Sequence, residues 1–275
     1  MSAQPVLLFL GAGPKLGTQI PPIFAEAGYK IVLVARSLQD GFQDNGYYHV
    51  KADFSDPTSI PEVFDKVKQN VGIPTVVVYN AVQYKLDDPA DPFASLAPES
   101  VSQFHTAVAV NGTTPLIAVQ HAISAFRSLP PTTTGKALIF TGNILNHSQF
   151  KNRLCFGIAK TACAYGIRFA SVAYAKERFR QAIYPYHLHF LDVHGKRQNG
   201  LQFYYADERT TSGMPVMRDI DGTAAGQEYL KLAETSEQLP WLYTYTQDSG
   251  YADFGEIDYL KTVYSDEPEH LKGGR

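Results

Sequence analysis

Apolar residues in this chain fall into short uninterrupted runs, separated by longer stretches in which they recur every three or four positions. The runs at 6–10, 30–35, 48–51, 75–79, 136–140, 187–193 and 241–246 read as strands. Residues 16–27, 60–70, 98–130 and 153–182 carry helical spacing. Pro21 and Pro22 limit where the first helix can begin, and Gly28 suits its end. Strands that are apolar on both faces belong to a parallel sheet with helices on each side. Their alternation with helices predicts right-handed crossovers. The predicted fold is therefore α/β, a Rossmann-type doubly wound parallel sheet. No repeat or linker divides the chain, so residues 1–275 are expected to form a single domain.

One stretch departs from the pattern. Residues 196–221 are polar, aromatic and rich in turn formers. They follow the sixth predicted strand at the carboxyl edge of the sheet, where ligands of open α/β sheets bind. An insertion there predicts a substrate lid, with Phe203, Tyr204 and Tyr205 as stacking surfaces. Residues 265–275 read as a flexible tail.

The first strand runs directly into Gly11-Ala12-Gly13-Pro14-Lys15-Leu16-Gly17. A buried strand, a glycine turn and a helix start form the geometry that receives a dinucleotide pyrophosphate. Glycine lets the backbone approach closely, and the helix N-terminus offers N–H groups and partial positive charge. The second strand ends Ala35-Arg36-Ser37, where NAD-preferring folds carry an acidic residue for the ribose diol. A guanidinium suits a 2′-phosphate instead. The expected cofactor is NADP(H).

Composition narrows the setting. A net charge of −3 without a basic stripe makes nucleic acid an unexpected partner. The two cysteines, Cys155 and Cys163, share one predicted helix and lie too far apart along it to bridge, and no metal-binding cluster accompanies them. The N-terminal apolar run is too short for a bilayer and lacks a basic flank. A cytoplasmic protein without membrane contact is expected. Seventeen Tyr and sixteen Phe exceed what a core requires; some could line a pocket for a small-molecule, aromatic substrate, and the rest could lie in the core or on the surface.

The order of motifs up to about Gly195 resembles the short-chain dehydrogenase/reductase family. Gly11 and Gly17 match the outer glycines of its Gly-x-x-x-Gly-x-Gly turn, with Lys15 at the middle glycine. Asp53-Phe54 resembles the pair at the adenine edge, and Asn80-Ala81-Val82 the segment beside the adenosine ribose. Val110-Asn111-Gly112 resembles the centre of the fourth family helix, where the resemblance implies that Asn111 holds a kink and a relay water. The family's Tyr-x-x-x-Lys corresponds to Phe156-Gly157-Ile158-Ala159-Lys160, and its Ser falls at Asn143. Lys160 would hold the nicotinamide ribose; Phe156 has no proton to give. Asn143 by its amide, His147 as a titrating acid, and His194, following Val193 beside the nicotinamide, are candidate replacements; water and the substrate itself remain open. The resemblance implies hydride transfer between nicotinamide and a carbonyl or imine carbon. A non-redox NADP(H)-binding protein on the same scaffold is the alternative. It also implies a homodimer or homotetramer formed through helices 104–129 and 153–182, whose apolar stripes could equally be monomer core.

Overall fold

Alternating side chains of the buried strands build two separate cores, one on each face of a single sheet. The computed structural model describes residues 4–174 and 200–255. Its strands are β1 (Val6–Leu10), β2 (Lys30–Ala35), β3 (Gly41–Phe42), β4 (Tyr48–Lys51), β5 (Val76–Tyr79), β6 (Ala137–Thr141), β7 (Gln202–Glu208), β8 (Leu242–Thr246) and β9 (Gly250–Tyr251). They lie in the order β3-β4-β2-β1-β5-β6-β7-β8-β9. All pairings are parallel except β3 with β4 and β8 with β9, the short antiparallel edges. The strand order reverses between β1 and β5, and that crevice is where such sheets take ligands.

The helices are α1 (Leu16–Glu26), α2 (Ser59–Asn70), α3 (Val101–Val108), α4 (Thr114–Ser128), α5 (Leu154–Ala173) and α6 (Gly222–Glu234). Leu8, Leu10, Val32 and Val34 face α2, α4 and α5, with Phe64, Phe126 and Ile167 in the same core. Leu7, Phe9 and Leu33 face the other way, against Ile20 and Phe24 of α1 and Tyr229 of α6. Each such side chain contributes about 1.5–3 kcal/mol on burial. That margin explains why α1 runs through Pro21 and Pro22, which remove two helical hydrogen bonds of about 1 kcal/mol each. Ile20, Pro21 and Phe24 are buried around the break.

The segment expected as one helix over 98–130 is three pieces. A single π-helical turn, Ala109–Thr113, joins α3 to α4. Asn111, fully buried in that turn, donates through Nδ2 to the carbonyls of Ala107 (2.9 Å) and Gln83 (2.8 Å) and accepts the Gln83 N–H at 3.2 Å. The expanded turn is thus stapled to the chain leaving β5.

Two sequence expectations require correction. The strand beside β6 is Gln202–Glu208, in register Ala137↔Gln202 through Thr141↔Ala206. Residues 187–193, expected in that role, lie outside the described residues, as do Val193, His194 and the tail 265–275. The expected lid 196–221 therefore contains a central strand, and only the chain after Glu208 leaves the sheet. Phe203, Tyr204 and Tyr205 are fully buried rather than stacking surfaces: Phe203 and Tyr205 join one core and Tyr204 the other. Their large apolar rings outweigh the polar atoms that gave the segment its loop-like composition, because each buried phenol finds a partner. No described helix is long and apolar enough to cross a membrane.

Candidate active site

The glycine turn closes tightly between β1 and α1. Gly11 has φ +98°, and a Cβ there would stand 2.3 Å from the Ala81 nitrogen. Its N–H and that of Ala12 both reach the Val34 carbonyl at 2.9 Å, and Asn80 Nδ2 donates to its carbonyl at 2.8 Å. The turn is therefore locked to both neighbouring strands. Gly13 has open space where a Cβ would be. Leu16 and Gly17 begin α1, so their N–H groups have no acceptor inside the helix.

Above the turn lies a cleft of about 790 Å³, lined by Gly11, Gly13, Arg36, Asp53, Asn80 and Val110 among others. Ser37, Phe54, Ala81 and Val82 belong to the same wall. Asp53 accepts the Ser55 N–H at 2.9 Å, and Phe54 is buried against Tyr79. An open glycine beside a helix start, a guanidinium at the end of β2 and a long cleft across the strand-order reversal fit a phosphorylated dinucleotide.

A second cavity of about 630 Å³ adjoins it through Asn80 and Val82. Asn143, Phe156 and Lys160 line it, as do Asp207 and Glu208 at the end of β7. Lys160 Nζ donates to the Thr141 carbonyl at 3.0 Å and lies 4.3 Å from the Phe140 ring centre and 5.5 Å from that of Phe156. Burial pushes its ammonium down to about 8, against the opposing pull of Cys163 and Asp207. Asn143 accepts the Leu145 N–H on Oδ1. Its backbone is held by the Tyr205 phenol, which accepts its N–H at 3.1 Å and donates to its carbonyl at 2.9 Å. Gly142 allows this, since a Cβ there would meet the Tyr205 ring at 2.3 Å.

The rim of the second cavity comes from the chain after β5. Tyr84 lies edge-on to Phe156 at 5.7 Å, and the Arg153 guanidinium covers its face at 4.7 Å. Asp87 anchors this chain by accepting the Cys155 N–H at 3.0 Å, in the first turn of α5. A carboxylate there also meets the positive end of the helix dipole.

Other sequence candidates stand apart from the two cavity walls. Lys15 caps α1 with its backbone, and its ammonium turns away from the glycines to the Arg218 carbonyl. Leu16 is core, and Asn111 spends its amide on backbone groups. His147 is solvent-exposed on one side. Its Nε2 meets Arg209 at 3.4 Å, and desolvation of that inner edge, then the guanidinium charge, holds the imidazole near 4. Arg209 itself is buried, paired with Asp207 at 2.5 Å and donating to the Gly213 carbonyl at 2.9 Å. Burial raises the Asp207 carboxyl, and Arg209 opposes that rise. Asp207, Glu208 and Asp87 are the residues around the site that sequence reasoning missed, and Tyr205, expected to stack on substrate, instead holds the Asn143 backbone. The signal for the first two was the apolar run ending in Asp207-Glu208, which could be read as a strand delivering two carboxyls to the sheet edge.

No family model matches the chain. A short chain dehydrogenase/reductase, dmxR12 of Cryptosporiopsis sp. (strain 8999), is 31% identical over 263 residues, covering 92% of this chain and 96% of that protein. Among solved structures, a 3-oxoacyl-(acyl-carrier protein) reductase from Brucella melitensis in complex with NAD is 14% identical with TM-score 0.65, over 90% of this chain and 97% of that one. A blue fluorescent protein from a metagenomic library, in complex with NADPH, is 14% identical with TM-score 0.60, over 92% and 99%. The two structures speak for the fold alone; the relative from Cryptosporiopsis, matched along nearly its whole length, speaks for descent. The chain belongs to the short-chain dehydrogenase/reductase family of oxidoreductases.

Proposed function

We propose that this chain is an NADP(H)-dependent oxidoreductase that moves a hydride between nicotinamide and a carbonyl or imine carbon of a small organic molecule. The observation that carries the reading is Arg36, exposed at the end of β2 on the wall of the cleft that Gly11 and Gly13 also line. The residue that follows β2 is Arg36 rather than a carboxylate that would grip a ribose diol, and a guanidinium binds a 2′-phosphate by paired hydrogen bonds. Gly13, Leu16 and Gly17 would hold the pyrophosphate, Ser37 the 2′-phosphate beside Arg36, Asp53 and Phe54 the adenine, and Asn80–Val82 the adenosine ribose. Lys160 would hold the nicotinamide ribose. The bound cofactor supplies or accepts the hydride. Asn143 offers its Nδ2 to a substrate oxygen, since its Oδ1 is already used. Phe156, at the position of the family's Tyr, supplies a wall rather than a proton.

The substrate cavity is faced by Tyr84, Leu86, Ile144, Phe150 and Phe156, which suits a ring-bearing molecule. Loss of NADPH absorbance with a panel of aryl ketones, quinones and cyclic imines tests the reading. Turnover with at least one is expected, and a preference for NADH with all of them would reverse the cofactor assignment. The presence of Phe156 supports a second reading, a non-redox NADP(H)-binding protein. That reading predicts an NADPH-induced rise in Tm with no oxidation of any compound.

We also propose a homodimer through the α4–α5 face, supported by Tyr165, Phe169 and Val172, each more than 60% exposed. Light scattering should give twice the monomer mass, and Phe169→Glu should return it to one.

A further inference from the structure

Glu208 ends β7 with its carboxyl in an unusual setting. The residue is 4% exposed, yet it lines the same cavity as Asn143, Phe156 and Lys160. Its two oxygens accept a single backbone N–H, that of Asp221, at 3.0 and 3.2 Å. It forms no ion pair among the described residues.

The charged and titratable groups around it come from four elements. Asp207 lies next to it on β7, Asp221 caps α6, and Tyr229 of α6 and Tyr245 of β8 are close enough to feel its charge. Lys15 is the cation that acts on it, from the start of α1, with its ammonium committed to the Arg218 carbonyl. Two carboxylates and two phenols thus face Glu208 against one ammonium engaged elsewhere. Burial is the largest influence, and with Asp221 and Asp207 it pushes the carboxyl up to about 7, while the Asp221 N–H and Lys15 pull the other way. An acid is most effective when it titrates near the working pH. Its neighbours in the cavity are differently placed: Asp207 is bonded to Arg209, and Lys160 to the Thr141 carbonyl.

We propose that Glu208 is the proton donor of this site, standing in for the phenol absent at Phe156; this rests on the oxidoreductase reading above. When bound, the reduced cofactor would supply a hydride to the carbonyl carbon, and the π pair would move to oxygen. The Glu208 O–H bond breaks, its proton bonds to that oxygen, and a carboxylate remains. Water at the cavity mouth returns the proton. In the reverse direction the carboxylate removes the alcohol proton, and the hydride would leave to the oxidised cofactor.

The test uses the full-length protein, NADPH and phenanthrenequinone as the carbonyl probe, with wild type and Glu208→Gln. Three quantities are measured: the NADPH-induced rise in Tm, the pH profile of kcat/KM, and infrared difference spectra between about pH 6 and about pH 9. Glu208→Gln should keep the rise in Tm and lose roughly 10²–10⁴-fold in kcat/KM. The fall in rate centred at about pH 7 should disappear, and a protonated-carboxyl stretch present in wild type at the lower pH should be missing from the variant. Glu208→Asp should be slower than wild type but keep a titrating limb, which covers the case in which the Gln variant fails to fold. A wild-type rate or an unchanged alkaline limb in Glu208→Gln, or no such stretch in wild type, overturns the assignment of Glu208 alone. A rise in Tm without any oxidation of NADPH by wild type overturns the oxidoreductase reading, and this proposal with it.

Discussion

The two ends of the cleft are built in opposite ways. At the glycine end, a ligand would meet backbone N–H groups and side chains that are already in water: Arg36, Ser37 and Asp53 are all exposed. At the other end, Lys160, Asp207, Glu208 and Arg209 are each no more than 4% exposed. Charges already in water lose little solvation on meeting a ligand and can bind it without disturbing the fold. Buried charges are costly, and each must be paired, hydrogen-bonded or shifted in its titration. The first end is suited to binding and the second to moving protons, and the division follows from burial alone.

The largest expected effect lies at the buried end. Arg209→Met strands the Asp207 carboxylate and should cost about 3–5 kcal/mol in urea unfolding. Asp207→Asn in the same chain should recover part of that loss, and no recovery would mean that the pair is not coupled. At the exposed end, Gly11→Ala imposes both a strained φ and a clash with Ala81. It should cost about 2–4 kcal/mol, measured in the same way. Arg36→Ala should leave stability within about 0.5 kcal/mol. It should weaken NADPH by roughly 10–100-fold in titration calorimetry, with NADH changed by less than about threefold. Equal loss for both cofactors would remove the contrast on which the NADP(H) reading depends.

The smallest effect is a pH dependence. Glu208 has a folded value of about 7, above its ordinary value of 4.5. The unfolded chain therefore releases this proton first. The contribution of Glu208 to stability is full below about pH 4.5 and is lost as pH rises through about 7. Glu208→Gln should leave stability unchanged near pH 4 and raise it by about 1–3 kcal/mol at pH 8. A variant curve parallel to wild type would place Glu208 with the solvated charges of the other end.

The same contrast explains what the sequence revealed. The glycine turn, Arg36 and the Asn80 segment are set by local geometry, within a few residues of a strand end, and their positions along the chain predict their positions in space. Lys160 was legible through the resemblance of Phe156–Lys160 to the family's Tyr-x-x-x-Lys. The identity of the strand beside β6 was not, because residues 187–193 carry an apolar run as strand-like as Gln202–Glu208, and the polar, turn-rich composition of 196–221 read as a loop. Only the pairing with β6, more than 60 residues away in sequence, decides it. Asp207 and Glu208 were lost with that strand. The roles of Lys15 and His147 depend on Arg218 and Arg209, both from the chain after β7, and no local pattern announces those contacts.

The Tyr205 phenol grips position 143 by its backbone N–H and carbonyl. The backbone at position 143 is therefore held whatever its side chain, which need only keep an acceptor for the Leu145 N–H. A lineage can exchange amide for hydroxyl there, and with it the chemistry offered to a substrate, without rebuilding the strand ends that hold it. Position 142 has no such freedom while a large ring occupies 205. Evolution of this pocket is thus channelled: one residue is open to trial, and its immediate neighbour is closed.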